Sequence, residues 1–151
     1  MPQLDDLDKK ILNILIQNAK TSYAEIASQL FVSSGTIHVR VKKMEKMGVI
    51  TGSKLSVNYE KLGFDVYVFL GIYLERSAYY DEVIAQLKEI PEVISAHYTT
   101  GAYSIFAQII CRDTSHLREI LHDRIQVIKG IQRTETFISL EKSIDRVGLV
   151  D

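Results

Sequence analysis

Cysteine, proline and tryptophan are scarce in this chain of 151 residues, which has one cysteine, two prolines and no tryptophan. Because Cys111 has no second cysteine to pair with, an internal disulfide is excluded, and the composition suits a reducing compartment such as the cytoplasm. No run approaches the roughly 18 apolar residues of a membrane span, and the acidic N-terminus lacks the apolar stretch of a secretory signal. Histidine and cysteine are too widely spaced for a zinc signature. We therefore expect a cytoplasmic protein with no metal, no cofactor and no membrane contact.

Charge is unevenly divided along the chain, although the net charge is only −1. Residues 1–62 hold nine Lys and Arg against six Asp and Glu, whereas residues 63–151 hold nine against thirteen. This division predicts that only the first part meets a polyanion. The overall composition, 46% hydrophobic and 25% charged, is that of a globular protein with one or two cores.

Apolar residues recur at helical spacing in residues 4–18 and twice more within residues 21–48. Acidic residues at the start of the first helix lie where its dipole favours negative charge. Ser33 is a candidate N-cap for the third helix, and Gly48 is placed to end it. The second and third helices, joined by a tight turn, predict a helix-turn-helix.

The third helix has a basic face opposite its apolar stripe. Small, hydrogen-bonding and cationic groups mix there, as a helix that enters the major groove of double-stranded DNA requires. Hydroxyls near its N-terminus are expected to contact phosphates, the cations to contact bases or backbone, and Val39 to meet a thymine methyl. The alternative is an amphipathic helix with an ordinary solvated basic side. The predicted DNA-contacting residues of this helix are Ser33, Ser34, Thr36, His38, Val39, Arg40, Lys42 and Lys43.

Residues 49–63 contain two short extended pieces around Gly52, which permits the positive φ of a tight hairpin. Three helices followed by a small hairpin predict a winged helix-turn-helix. Lys54 in this hairpin is a candidate contact to the DNA backbone, although a solvated lysine fits equally well. Because helical periodicity gives way to long apolar strands at Gly63, we place a domain boundary there, between domains of residues 1–62 and 63–151.

The second domain reads as strand–helix–strand–strand–helix–strand. This order predicts the ferredoxin-like βαββαβ arrangement, an antiparallel sheet with two helices on one face, and so an α+β chain overall. Both alternating faces of the first strand are apolar, and burying the uncovered face predicts a homodimer. The predicted strands span 66–74, 93–99, 103–112 and 131–140, and the predicted helices span 77–90 and 113–127.

Three stretches resemble the Lrp/AsnC family of transcription regulators, also called feast/famine regulatory proteins. They are the LDxxDxxIL-like Leu4–Leu12, the helix-turn-helix Ser22–Gly52, and HYTTGAYSIFAQI at His97–Ile109. The last two are most similar to the asparagine-responsive members. The resemblance covers essentially the whole chain. It implies a DNA-binding domain, an effector-binding domain, and dimers that assemble into octamers with an amino acid, L-asparagine as first choice, held between dimers.

The resemblance also places the effector site around residues 98–104, where Gly101 lets backbone amides approach a carboxylate. Further candidates come from the neighbouring helix and strand, of the same or another subunit. The alternative is an ordinary glycine-containing hairpin with strand threonines. The predicted effector-binding residues are Tyr98, Thr99, Thr100, Gly101, Ala102, Tyr103, Ser104, Asp123, Gln126, Thr134 and Thr136.

Three positions depart from the family pattern. Phe31 stands where the family usually has glycine in the helix-turn-helix turn, and a non-glycine residue at positive φ costs about 1 kcal/mol. We expect either an adjusted turn or compensating packing by Phe31. Ser34 replaces a common proline. Ser104 replaces an aspartate of many relatives, which should alter the preferred amino acid.

Together these features predict a sequence-specific DNA-binding transcription regulator that responds to a small amino acid, and not an enzyme. Ferredoxin-like domains can host chemistry, but the sequence has no phosphate-binding glycine-rich motif and no nucleophile elbow. The alternatives are a ferredoxin-like enzyme, or a ligand-sensing oligomeric protein that does not bind DNA.

Overall fold

The computed structural model describes residues 3–150 and divides into two compact units. The first unit contains the chain up to Ser56 together with the segment that begins at Ile144. The second unit is Val57–Ser143. The domain boundary expected from periodicity, after residue 62, stays a prediction; the division by compactness falls somewhat earlier in the chain.

The first unit is built on three helices, α1 (Asp6–Gln17), α2 (Tyr23–Leu30) and α3 (Ser34–Lys46), which confirms the predicted helices. Side chains cap all three N-termini, because Asp5, Ser22 and Ser33 each accept a hydrogen bond from a backbone N–H one turn later. At the other end of α3, Gly48 has a φ of 71°, as predicted. A small core closes the unit, formed by the buried residues Ile11, Leu12, Ile26, Ala27, Ile37, Val41 and Met44.

Phe31 ends α2 in the left-handed conformation, with a φ of 56° and a ψ of 43°. The turn is therefore not adjusted to avoid positive φ. Nor does the side chain pack to compensate, because Phe31 is 95% exposed. Both expected remedies are wrong for this residue, and its backbone strain is not offset by burial within the chain.

The predicted hairpin is not formed. Residues 49–63 are all described, and none of them lies in a β-strand, although Gly52 does take a positive φ of 141°. Residues 51–60 are all exposed. Two short strands without a third strand or a covering helix are marginal in water, which explains why pairing is absent here.

The second unit is a four-stranded antiparallel sheet with the strand order β2-β3-β1-β4, which confirms the ferredoxin-like prediction. Strand β1 is central, as its two apolar faces predicted. The strands are β1 (Val66–Leu74), β2 (Val93–Tyr98), β3 (Ile105–Cys111) and β4 (Ile131–Ser139). The helices are α4 (Tyr80–Lys88), preceded by a 3₁₀ turn at Ser77–Tyr79, and α5 (Thr114–Glu119); another 3₁₀ turn, Glu60–Leu62, precedes β1.

The last predicted helix does not run as an α-helix to Val127. Asp113 caps it as predicted, but α5 ends at Glu119 and a π-helical turn follows at Ile120–Ile125. The wider turn is closed by bonds such as that from the Gln126 N–H to the Leu121 carbonyl, at 2.8 Å. It keeps Ile120 and Ile125 buried against the sheet.

The sheet has one face in the core and one face that no helix of the second unit covers among the described residues. Val68, Leu70 and Ile72 of β1 are buried among α4 and α5. The alternating residues Tyr67, Phe69 and Tyr73 lie on the other side, which we call the open sheet face, with aromatic neighbours from β3 and β4. In the described part of the chain, no helix is long and apolar enough to cross a membrane.

Candidate functional site

The outer side of α3 is exposed in the way a groove-binding helix requires. Ile37, Val41 and Met44 are buried, so the opposite side of the helix faces solvent. Val39 lies there with 65% exposure, and Gly35 is also exposed. A Cβ added at Gly35 would meet only the Ser33 hydroxyl, at 3.7 Å. This side can therefore approach another surface closely.

The N-terminus of α3 is suited to an anion. Ser33 Oγ accepts from the Thr36 N–H at 3.1 Å, and the two hydroxyls lie 2.9 Å apart. The first turn of α3 contains no acidic residue, whereas the first turns of α1 and α2 contain Asp6 and Asp8, and Glu25, respectively. The positive end of the α3 dipole is thus left without a carboxylate of its own turn, as phosphate binding requires.

The cations of α3 differ in their partners. Lys42 pairs with Glu45 at 2.7 Å, and this hydrogen bond raises the pKa of Lys42. Lys43 lies 3.7 Å from Asp8 Oδ2 and its side chain remains half exposed. His38 packs edge-on against Tyr23, with ring centroids 5.8 Å apart. Lys54 is exposed in the unpaired segment after α3.

Arg40 is held by two carboxylates of α1. Its guanidinium donates to Asp5 and, at 3.0 Å, to Asp8 Oδ1, and only 28% of its side chain is exposed. Hydrogen bonding to the Asp5 carboxylate raises the pKa of Arg40. The sequence placed Arg40 on the outward basic face; the structure places it on the flank that meets α1. Its contact with DNA stays a prediction.

Two relevant residues were missed by the sequence reasoning. Lys46 is exposed in the last turn of α3, one helical turn beyond Lys42. Asp8 is completely buried, although the helical pattern treats acidic residues as solvated. The signal available for Asp8 was its position three residues after the capping Asp5, because a capping box puts this side chain back over the helix start.

The predicted effector hairpin is a tight loop between β2 and β3. Thr99 Oγ1 donates to the Tyr103 carbonyl at 2.8 Å, and Gly101 has a φ of 107°. The Ser104 N–H donates to the Ile72 carbonyl at 2.9 Å, which ties the loop to β1. Thr100, Gly101 and Ala102 are exposed at its tip. The Tyr98 side chain points to the helix-covered side of the sheet, where the centroid of its ring lies 4.4 Å from that of the Tyr80 ring.

A second group of predicted effector residues lies at the β4 edge of the sheet. Gln126 Nε2 donates to Thr134 Oγ1 at 3.1 Å. Thr134 and Thr136 pair with Ile72 and Leu70 and so share the helix-facing side of the sheet. Asp123 lies in the π-helical turn and contacts His122 at 2.6 Å. Because β3 and β4 flank β1, the loop and this group are about 10 Å apart across the sheet, two strand spacings.

Tyr103 is separated from the other predicted effector residues. Its ring lies on the open sheet face across Gly71, where a Cβ would overlap ring atoms. Its hydroxyl donates to Glu135 at 2.6 Å, and this bond raises the pKa of Tyr103 to about 12. Arg133 lies over the Tyr73 ring at 3.6 Å, beside the same carboxylate. This arrangement suits a packed surface better than a ligand cleft.

One further surface depression is lined by polar side chains between Arg112 and Asp123, along α5 and the π-helical turn. Of the predicted effector residues it includes only Asp123. Within residues 3–150, no group of three or more His, Cys, Asp or Glu side chains is arranged to hold a metal ion.

Two family models match the chain, and the gap between them, residues 52–66, contains the boundary between Ser56 and Val57 that the structure shows. The model described as "winged helix-turn-helix DNA-binding" matches residues 4–51, and the model described as "Lrp/AsnC ligand binding domain" matches residues 67–149. A helix-turn-helix with an open outer face, followed by such a domain, defines a DNA-binding transcription regulator that responds to an amino acid.

The relatives specify the family. The chain is 48% identical over 143 residues to the regulatory protein AsnC of Escherichia coli K12, covering 95% of this chain and 94% of that protein. It is 46% identical to AsnC of Haemophilus influenzae, covering 97% of both. The solved E. coli AsnC structure matches with a TM-score of 0.91 over 96% of this chain and 97% of that one. The chain belongs to the Lrp/AsnC family, which confirms the predicted function class.

Proposed function

We propose that this protein binds specific double-stranded DNA sites through the outer side of α3, and that L-asparagine modulates that binding through the second unit. The observation that carries the DNA-binding part is the acid-free, hydroxyl-lined N-terminus of α3 leading into an exposed face of small, apolar and cationic groups. Ser33, Ser34 and Thr36 contact phosphates, and Val39 contacts a thymine methyl. His38, Lys42, Lys43 and Lys54 supply further backbone or base contacts.

The proposed effector site combines two halves. The loop Thr99–Ser104 offers backbone amides and hydroxyls for a carboxylate, and Asp123, Gln126, Thr134 and Thr136 offer groups for the ammonium and side-chain amide. These halves lie about 10 Å apart within one chain. We therefore propose that the ligand lies between subunits, each of which contributes one half of the site. Asparagine is proposed because the hairpin resembles that of the asparagine-responsive members of the family.

Oligomerisation completes this proposal. The open sheet face carries Phe106 stacked on Phe69 with ring centroids 5.9 Å apart, and half-exposed Phe137. Aromatic area of this kind is a usual surface for a second copy. We propose homodimers through this face that assemble into octamers, acting on DNA in the cytoplasm. A ligand between dimers would change which half-sites are engaged together.

The test is selection of promoter fragments from a genomic library by the full chain, with and without L-asparagine. We expect a small set of fragments to be retained in a salt-sensitive manner, with occupancy that changes on adding L-asparagine. D-asparagine and L-aspartate are the matched ligand controls. Uniform retention of all fragments would contradict sequence-specific binding. If titration calorimetry detects no binding heat with each of the twenty amino acids in turn, the effector assignment is contradicted.

A further inference from the structure

The carboxylate of Asp8 is buried where α1 packs against α3. It is the only polar or charged side chain that is buried among the described residues. Arg40 donates to one of its oxygens at 3.0 Å, and Lys43 lies 3.7 Å from the other. That second oxygen also accepts the Asp5 N–H at 3.3 Å, within the capping box of α1.

A carboxylate removed from water is tolerated only when cations and hydrogen bonds replace its hydration. Here both cations come from α3, and the structure supplies no other cation to Asp8 in the described residues. Arg40 also bonds Asp5, whose pKa it lowers to about 2. One guanidinium therefore bonds both acidic residues of the capping box that starts α1.

The bonds from Arg40 to Asp5 and Asp8 lie where they can fix the rotation of α3 about its own axis. Val41 and Met44 are buried in the three-helix core on one side, and Arg40 lies on the adjoining flank. Apolar packing alone permits small rotations of a helix about its own axis, whereas charge-assisted bonds from one guanidinium nitrogen of Arg40 to the carboxylates of both Asp5 and Asp8 restrict them. Because the rotation of α3 is restricted, the direction in which its outer residues, such as Val39, point is restricted as well.

We infer that Arg40 is a positioning residue, which holds α3 at the angle needed for DNA recognition by bonding Asp5 and Asp8, and does not itself read bases. This inference rests on the proposed DNA-binding function. The competing role, direct base contact, requires the guanidinium to leave both carboxylates. The buried Asp8 would then retain only Lys43 as a cation, at a distance longer than a hydrogen bond.

The discriminating variant is Asp8→Asn in the full chain. Asparagine has nearly the same shape and keeps an oxygen that can accept the Asp5 N–H, but it removes the buried negative charge and leaves Asp5 as the remaining carboxylate partner of Arg40. If Arg40 read bases directly, affinity for a selected promoter fragment would stay the same or rise. For a positioning residue, we expect affinity to fall about tenfold, the size of a typical coupling between residues in contact.

Together with Asp8→Asn, the variants Arg40→Met and Asp8→Asn/Arg40→Met form a double-mutant cycle. We expect Arg40→Met to lose about as much affinity as Asp8→Asn, and the double variant to be no worse than either. The readout that separates positioning from mere folding is the ratio of specific to non-specific affinity, measured where thermal unfolding shows every variant to be folded. This ratio should fall, while the salt dependence of non-specific binding stays the same.

Lys42→Ala is the matched control, because Lys42 is a cation of the same helix without a bond to Asp8. It should weaken binding to all DNA and lower the salt slope by about one phosphate contact. Should Asp8→Asn fail to fold, Asp5→Asn removes the exposed partner of Arg40 and keeps a capping side chain. Unchanged or tighter binding by the aspartate variants, with a reduced salt slope for Arg40→Met, would overturn the inference. Failure of the wild-type chain to select any fragment would instead overturn the proposed function.

Discussion

The two units of this chain bury very different interiors. The core of the first unit has seven buried apolar residues and includes the buried Asp8 at its edge. The core of the second unit has fifteen buried residues, none of them charged. Small interiors provide less apolar stabilisation, so the side-chain caps of the three helices contribute a larger share of the total stability of the first unit. The first unit should therefore respond to smaller perturbations than the second.

The largest expected effect tests this difference by removing one core side chain from each unit. Ile37 and Leu70 are both fully buried. Replacing either with alanine should cost about 3 kcal/mol of unfolding free energy by loss of burial and creation of a cavity. In the first unit, which has the smaller core, the same loss of free energy should expose most backbone amides to hydrogen exchange. Hydrogen exchange resolved by peptide should show Ile37→Ala exposing residues 6–46 while the sheet stays protected.

The control for this pair is Val39→Ala, on the same helix but 65% exposed. It should leave exchange in both units unchanged within error, because little apolar area is lost. Equal protection of the first unit in Ile37→Ala and Val39→Ala would refute the view that its core is the weaker one.

The second prediction probes the larger unit at its open face. Gly71→Ala would place a methyl group into the Tyr103 ring, and overpacking of this kind costs about 2 kcal/mol. The double variant Gly71→Ala/Tyr103→Ala removes the overlap and should recover most of the loss beyond the cost of Tyr103→Ala alone. Thermal unfolding of the four proteins measures this. Additive losses would mean that the ring does not lie across Gly71 in solution.

The third prediction concerns the turn of the first unit. Phe31→Gly relieves a left-handed non-glycine residue, a gain of about 1 kcal/mol, which the greater freedom of glycine in the unfolded chain reduces by roughly half. We expect a small net rise in the stability of the first unit. Phe31→Ala is the control, since it keeps the Cβ and, at 95% exposure of Phe31, removes no packing. Denaturant unfolding that ranks the two variants equally would count against strain at this turn.

The smallest expected effect is the pH dependence of the Arg40–Asp5 bond. Hydrogen bonding to Arg40 lowers the pKa of Asp5 from 3.8 to about 2. Because the folded-state pKa is the lower one, this bond stabilises the first unit above about pH 4, and the contribution is lost as the pH falls towards about 2. Asp5 is largely exposed, so solvent screening keeps the effect small.

Melting temperatures measured between these two pH values test the sign. The wild-type value should fall as the pH is lowered, and Asp5→Asn should fall less. Asp6→Asn, which changes the next residue but has no ion pair with Arg40, should keep the wild-type pH dependence. A steeper fall in Asp5→Asn than in the wild type would reverse our assignment.

Features set by local sequence were predicted well. Ser33 and Asp113 cap their helices because the hydrogen bond of an N-cap involves residues only three positions apart. The strand order followed from the alternation of strands with helices, and the central position of β1 from its two apolar faces. The outward position of Val39 was also predicted, since helical periodicity assigns it once the apolar stripe is known, whereas Arg40 lies on the flank that meets α1.

Features set by distant partners were not predicted. Arg40 and Asp8 are 32 residues apart, and no periodicity signals that a carboxylate of α1 will be buried against an arginine of α3. Leu117, Leu121 and Ile125 recur every four residues and so fit an α-helix, and the pattern therefore could not signal the π-helical turn at Ile120–Ile125. The hairpin after α3 had suitable turn chemistry, but no third strand or covering helix for stability. The position of Tyr103 on the open sheet face, away from the other predicted effector residues, depends on its contact across Gly71, 32 residues away, which no local pattern signals.

The segment that begins at Ile144 returns to the first unit, where Val150 exchanges two backbone hydrogen bonds with the Asn13 side chain, both at 2.9 Å. The polypeptide thus enters and leaves the second unit from the DNA-binding one. A fluorophore or affinity tag attached beyond residue 150 would travel with the helix-turn-helix, although its position in the sequence follows the ligand-binding domain. Distances measured between such labels would report movement of the first units, which contain the helix-turn-helix, and not of the ligand-binding domains.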